Sequence, residues 1–181
     1  MIHVEEINVE NWRTPLNVSK SQELYVANTT TILARAYAYR NARSKAFLIY
    51  DDKTPVGMGL YHDEESLNGY IFSELLIDER FQSKGYGKAA TKIVLDCMKN
   101  DGKYNKVFLC YIEGNDAAKA LYEKFGFIEI DRDGNEIIME CTLWNNWFYN
   151  WKAKKLRMLI KEVTNVRKWV NKRLSLWMKK N

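Results

Sequence analysis

The stretch Gln82-Ser83-Lys84-Gly85-Tyr86-Gly87-Lys88 decides how this chain is read. An apolar run, Tyr70 to Ile77, precedes it. After it, Ala90, Ile93, Val94, Cys97 and Met98 recur at helical spacing within Ala89 to Met98. A glycine-rich turn between strand and helix leaves backbone N–H groups without partners beside the positive end of the helix dipole. That combination suits a phosphate. Gly85 and Gly87 let the backbone approach a diphosphate with no Cβ in the way, and Lys84 and Lys88 add positive charge beside it.

Upstream of the turn, Ala46 to Tyr50 and Val56 to Tyr61 flank Asp51-Asp52-Lys53-Thr54-Pro55, which predicts an antiparallel hairpin. Asp63 to Gly69 is a second polar turn, and His3 to Ile7 a short first strand. Asn11 to Arg43 reads as two helices, one carrying Trp12, Leu16 and Val18, the other Ile32, Leu33, Ala36, Tyr37 and Tyr39. Ser19 to Gln22 and Asn28 to Thr31 are polar interruptions able to cap them. Downstream, Asp101-Gly102 ends the helix, and Val107 to Ile112 is a continuous apolar run. Its continuity predicts a strand buried on both faces, paired parallel to Tyr70–Ile77 with the helix as crossover. Asn115 or Asp116 caps a helix over Ala117 to Phe125 that stops at Gly126, and Phe127–Ile130 and Glu136–Leu143 form a last hairpin around Asp133-Gly134-Asn135. Antiparallel strands, a βαβ unit and a closing hairpin describe a mixed α/β (α+β) sheet.

At 181 residues with 46% hydrophobic content, the chain suits one core with an appendage. No leading basic-then-apolar segment resembles a signal peptide and no run nears the roughly 18 apolar residues of a membrane span, so a cytoplasmic protein is expected. Cys97, Cys110 and Cys141 all fall in apolar runs and read as small buried hydrophobes. His3 and His62 are the only histidines, and neither has a second ligand at metal-binding spacing, so no metal is expected. Charge is split: Trp144 onward carries eleven Lys or Arg and the single acid Glu162, while Met1 to Leu143 has 17 basic and 22 acidic side chains. The basic isoelectric point belongs to the tail.

A strand, Gln82-x-x-Gly85-x-Gly87, a helix, an apolar strand, then Asn115-x-x-Ala118-x-x-Leu121-Tyr122-x-x-Phe125-Gly126-Phe127 resembles the GCN5-related N-acetyltransferase superfamily over roughly Met1 to Leu143. Within it, Val18-Ser19-x-x-Gln22-x-x-Tyr25 and Ile77-Asp78-Glu79-Arg80-Phe81-Gln82 look like the bacterial spermine/spermidine (diamine) acetyltransferases. The resemblance implies a mostly antiparallel sheet with a βαβ acetyl-CoA-binding unit, acetyl-CoA as donor, and transfer to an amine. It implies that the backbone of Leu75, Leu76 and Ile77 holds the pantetheine arm and polarises the thioester, and that the N–H groups of Gln82, Ser83, Lys84, Gly85, Tyr86, Gly87 and Lys88 hold the diphosphate. Asn115, with Ala118 beside it, would hydrogen-bond the pantetheine, and Tyr122 would act as general acid for the leaving thiolate. A tyrosine, with its ordinary pKa near 10, stays protonated at neutral pH and can serve a developing thiolate.

A protonated amine does not attack a thioester, so a base is needed; Glu74, on the strand leading into the glycine turn, is the candidate if burial raises its pKa. The plainer readings remain open: Glu74 as a solvent-facing residue or a substrate-binding anion, and Tyr122 as a core aromatic. Acids at Glu5-Glu6, Asp51-Asp52, Asp63-Glu64-Glu65 and Asp78-Glu79 would steer a polyamine if near a cleft, and are otherwise solvated turns. Tyr25 would contact the acceptor through cation–π attraction or pack the core.

Gly85-x-Gly87-x-x-Ala90, with Glu113 further on, also fits a loose dinucleotide fingerprint, but too many elements precede it and too few follow. Lys88 is followed by Ala89, not Ser or Thr, which excludes a Walker A loop. Acceptors other than a polyamine, an aminoglycoside-type antibiotic or a protein amine, stay open, as does a non-catalytic acetyl-CoA-binding module positioned by the tail. Residues Trp144 to Asn181 lie outside the family pattern. Leu156, Leu159, Val163, Val166, Val170 and Trp177 form an apolar stripe on a basic helix, behind the aromatics Trp144, Trp147, Phe148, Tyr149 and Trp151. Such a segment suits an anionic membrane surface or a partner helix better than nucleic acid, and docking on its own domain or on a homodimer mate is the structural alternative.

Overall fold

Turn residues cut the first four-fifths of the chain into short apolar runs, and in the computed structural model, which describes residues 1–143, these become one sheet. Its strands are β1 (Ile2–Glu6), β2 (Lys45–Asp51), β3 (Thr54–Glu64), β4 (Gly69–Ile77), β5 (Lys106–Ile112), β6 (Ile128–Asp133) and β7 (Glu136–Thr142). They lie in the order β1-β2-β3-β4-β5-β7-β6. Every neighbouring pair is antiparallel except β4 and β5. The helices are α1 (Thr29–Ala38), α2 (Tyr86–Asp101) and α3 (Asp116–Lys124). Both expected hairpins, the crossover helix and the helix after Asn115 are present. The readings of residues 144–181 lie outside the described residues.

The sheet separates two cores. Alternation along β2 sends Ala46 and Leu48 to one side, where Ile32 of α1 packs with Met58, Leu60 and Leu76. It sends Phe47 and Ile49 to the other, against Ala90, Val94, Leu95 and Met98 of α2 and Tyr122 of α3. Ligands can therefore reach the middle of the sheet only where two strands part.

They part between β4 and β5. The parallel pairing expected there is made at only two positions, Tyr70 with Val107 and Ile71 with Phe108. Beyond them β5 stays in full antiparallel register with β7, from Lys106–Thr142 to Ile112–Glu136, while β4 stays with β3. The β3–β4 register shifts where Leu60 faces Glu74 but Tyr61 faces Phe72, so Ser73 is an extra residue in β4. Such a bulge bends its strand and re-aims the next side chain, here Glu74.

Three expectations are corrected. No helix covers Trp12 to Val18: the Asn8 carboxamide oxygen accepts from Glu10 N–H at 2.8 Å, the Asn11 oxygen accepts from Asn8 N–H at 2.8 Å, and Pro15 has no N–H to give. Ser19 to Val26 likewise forms isolated turns. Cys97 and Cys110 are exposed and only Cys141 is buried. The buried stripe of α2 runs through Ala90, Thr91, Val94, Leu95 and Met98, which leaves Cys97 on the flank. Burial of β5 on both faces holds for Val107, Phe108 and Leu109 and ends at Cys110, where β4 has departed.

Candidate active site

Parting of β4 from β5 leaves the facing edge of β4 beyond Ile71 without a strand partner among the described residues. A groove of about 230 Å³ occupies that side of the sheet, lined by Leu75 and Ile77 of β4, the turn at Gln82, Ser83, Gly85 and Gly87, and Asn115, Ala118, Leu121 and Tyr122. Period-two alternation turns Leu76 away into the α1-side core, so only its backbone belongs to this edge.

The glycine turn closes one end of the groove. Gly85 caps α2 at φ +88°, and a Cβ built on it would meet no atom of the described residues within 4 Å, so the turn requires glycine for its backbone and leaves space in front that none of those residues fills. A Cβ at Gly87 would project between Leu121 and Ile77 of the groove wall, at 3.7 and 3.8 Å. The first backbone bond of the helix runs from Ala89 N–H to the Gly85 carbonyl at 3.0 Å. Amides ahead of Ala89, back to Gln82, have no main-chain acceptor among the described residues. The side chains of the turn serve it differently. Gln82 Nε2 donates to the Ile77 carbonyl at 2.9 Å and to the Gln22 side-chain oxygen, Lys84 Nζ donates to the Arg80 carbonyl at 3.0 Å, and Tyr86 O–H donates to Asp51 at 2.8 Å. Lys88 is exposed. At the other wall, Asn115 Oδ1 caps α3 by accepting from Ala118 N–H at 3.1 Å.

Deeper in the gap a small pocket joins Glu74, Ser73 and Leu75 of β4 to Cys110 and Tyr111 of β5, Asn115, Ala118 and Tyr122, with Tyr25 over the mouth. The Tyr25 hydroxyl stands 3.3 Å from where a Cβ on Gly114 would be, and Gly114 sits at φ +91°, so glycine there makes room for Tyr25. The structure thus brings together Tyr25 from the turns before α1, Glu74 from β4, and Asn115, Ala118 and Tyr122 from α3 and its N-cap, three segments in all. Tyr122 is also the core aromatic of the plainer reading: its ring stands 5.6 Å from that of Phe127 and 6.3 Å from that of Phe72, edge-on to both. Its hydroxyl has no hydrogen-bond partner among the described residues. Burial, then the negative charge of Glu74, push that hydroxyl well above the usual phenol range.

Glu74 is not solvent-facing. Its side chain is 11% exposed and paired with the Arg35 guanidinium of α1, with the Ala27 backbone N–H facing it. Burial pushes the carboxyl up; Arg35 and the Ala27 amide oppose this without cancelling it. The Cys110 thiol is pushed up to about 11, chiefly by desolvation in the gap, so it is a neutral thiol at working pH. Sequence reasoning missed Arg35, Cys110 and Val26. Nothing in the helical pattern of Thr29–Ala38 signals that Arg35 reaches a residue 39 positions away.

The acidic clusters mostly hold the fold. Asp78 is fully buried, accepting from the Arg80 guanidinium at 2.8 and 3.0 Å and from Asn17 N–H at 2.9 Å. Asp63 is buried against Arg43 and Lys103, and Asp51 takes Tyr86 and the amino terminus. None of these lines the groove or the gap pocket.

The profile of the acetyltransferase (GNAT) family matches residues 4–127 of the chain. The chain belongs to the acetyltransferase (GNAT) family. Among curated proteins, this GNAT acetyltransferase is 29% identical over 134 residues to the spermine/spermidine N(1)-acetyltransferase of Bacillus subtilis strain 168, covering 69% of this chain and 87% of that one. Among solved structures its fold resembles the spermidine N-acetyltransferase of Vibrio cholerae in complex with CoA and spermine, with a TM-score of 0.64 at 18% identity over 78% of this chain and 95% of that one. It also resembles the PaiA N-acetyltransferase of Thermoplasma acidophilum in complex with coenzyme A, with a TM-score of 0.61 at 18% identity over 78% and 99%.

Proposed function

We propose that this GNAT acetyltransferase transfers the acetyl group of acetyl-CoA to a primary amine of a polyamine, by direct attack while both substrates are bound. The observation that carries the reading is the gap pocket, where a buried carboxylate, Glu74, and a protonated phenol, Tyr122, line one small space at the inner end of the groove. The donor fits that groove. Open space before Gly85, the free amides ahead of Ala89 and the unpaired edge of β4 are what a diphosphate and an amide-bearing arm need. Gln82 to Lys88 would hold the diphosphate, and Leu75 to Ile77 with Asn115 the pantetheine arm.

Bound acetyl-CoA supplies the acyl carbon and a thiolate leaving group. Glu74 accepts a proton from the incoming ammonium, directly or through water, and burial raises its basicity for that purpose. The free amine then forms the C–N bond as the C–S bond breaks, and the second proton that the nitrogen sheds goes to the departing thiolate, which leaves as the free thiol of CoA. Tyr122, kept protonated by its surroundings, donates its hydroxyl hydrogen bond to the sulfur as charge develops there. Tyr25 presents an aromatic face and a hydroxyl at the mouth, suited to an alkylammonium chain. The 29% identity to the Bacillus spermine/spermidine enzyme favours a polyamine over an aminoglycoside or a protein amine. Incubation of the protein with acetyl-CoA and spermidine should yield monoacetylated spermidine and free CoA in equal amounts, read by mass spectrometry; thiol release without acetylated amine would contradict the proposal.

A further inference from the structure

Glu74 already carries a cation. Arg35 reaches it from α1, and among the described residues Glu74 is its one side-chain partner, made through one guanidinium nitrogen. The other arginines that anchor buried acids are gripped differently. Arg43 makes four bonds to Asp63 and Asp101, and Arg80 chelates Asp78 through two nitrogens. Arg35 is 43% exposed while its acid is 11% exposed, so its guanidinium can leave for solvent and the carboxylate cannot. Glu74 stands in the gap pocket's wall, where the acceptor must come for its proton to be taken, and Arg35, outside that lining, is paired to it from α1.

We propose that Arg35 is a displaceable stand-in for the acceptor's ammonium: it neutralises Glu74 in the free enzyme and yields that position when a cationic amine enters. The proposal rests on the acceptor reading given above. It makes Arg35 a positioning and specificity residue. A neutral molecule gains nothing by entering, because it cannot replace the charge Glu74 would lose, whereas an alkylammonium replaces it in kind. Exchange lowers apparent affinity by the fraction of enzyme in which the carboxylate is free. If the pair is closed nine-tenths of the time, removing Arg35 tightens amine binding about tenfold.

Glu74 is also faced by Ala27 N–H, by Tyr122 of α3, by Cys110 of β5 and by Tyr25 at the mouth. Among the described residues Arg35 is the one cation paired with Glu74, so its loss leaves burial unopposed by charge and moves ionisation of Glu74 to higher pH.

The test is spermidine affinity for the full-length protein saturated with CoA, measured by calorimetry at pH 8.5 for wild type, Arg35→Met, Arg35→Lys and Glu74→Gln. Arg35→Met should bind spermidine about tenfold more tightly, Arg35→Lys should return to within about twofold of wild type, and Glu74→Gln should bind weakly. Lowering the pH toward 6 should erase the gain in Arg35→Met before wild type loses affinity. Unchanged or weaker binding by Arg35→Met overturns the proposal, since misfolding does not tighten a site. Failure of the acceptor reading would look different: wild type would acetylate none of the polyamines, while the affinity ratio would still decide the role of Arg35.

Discussion

Replacing Tyr122 by Phe removes one oxygen and leaves the packing. The ring keeps its edge-on contacts with Phe127 and Phe72, at 5.6 and 6.3 Å, and no group among the described residues loses a hydrogen bond. Thermal stability should therefore change by no more than about 1 kcal/mol, since no buried partner is orphaned. The groove lining is otherwise intact, so the Kd for acetyl-CoA should stay within about threefold of wild type, well under 1 kcal/mol. Turnover should respond differently. A hydroxyl that donates only as charge develops on sulfur contributes where a single oxyanion donor does, about 10²–10³ in kcat, or about 2.7–4 kcal/mol. Stopped assays of thiol release with saturating spermidine give kcat, and calorimetry gives the Kd. An unchanged kcat, or losses of kcat and acetyl-CoA affinity in equal proportion, would refute Tyr122 as the group serving the thiolate.

Glu74→Gln should abolish most turnover at neutral pH, and a variant still within about twofold of wild type would remove Glu74 as the base. Because burial raises its folded pKa, Glu74 is in its active, ionised form only above that raised value, so the acid limb of kcat/KM against pH should lie above the ordinary carboxylate range. A limb at or below that range would contradict it. Gly85→Ala meets no clash but forces a Cβ into φ +88°; about 1 kcal/mol of stability and much of the acetyl-CoA affinity should be lost together, the latter read by calorimetry. Asp78, held down to about 2 by Arg80 and the Asn17 and Arg80 amides, stabilises the fold fully above the ordinary value of 3.8, and that contribution is lost as pH falls toward about 2. Asp78→Asn should flatten acid denaturation over that window, and an unaltered midpoint would count against the pair.

The hairpins, the crossover helix and the capped helix at Asn115 were legible because their signals are local: turn residues between apolar runs, and glycines at helix ends. Glu74 and Tyr122 were legible for a related reason, since each stands at a fixed offset from the glycine turn or from Asn115. Between Asn8 and Val26 the apolar residues mimic a helical period, but the asparagine side chains and Pro15 satisfy or deny the backbone bonds a helix needs. The parting of β4 from β5 was not legible either. It depends on Ser73 being extra in one ladder and on β7 holding β5 along seven residue pairs, both set by register with distant strands. Arg35 was invisible for the same reason, because a pair across 39 residues leaves no periodic trace. That Cys110 is exposed follows from the parting too, since a strand apolar throughout gives no sign of where its neighbour leaves.

The proposed mechanism turns on the gap pocket selecting a polyamine and acetylating it. It is tested most directly by kcat/KM at fixed acetyl-CoA for spermine, spermidine, putrescine, an aminoglycoside and a lysine peptide. The polyamines should exceed the aminoglycoside and the peptide by at least about 10²-fold, equivalent to about 2.7 kcal/mol of transition-state discrimination. Comparable values across the panel, or a preference for the peptide or the aminoglycoside, would contradict that mechanism.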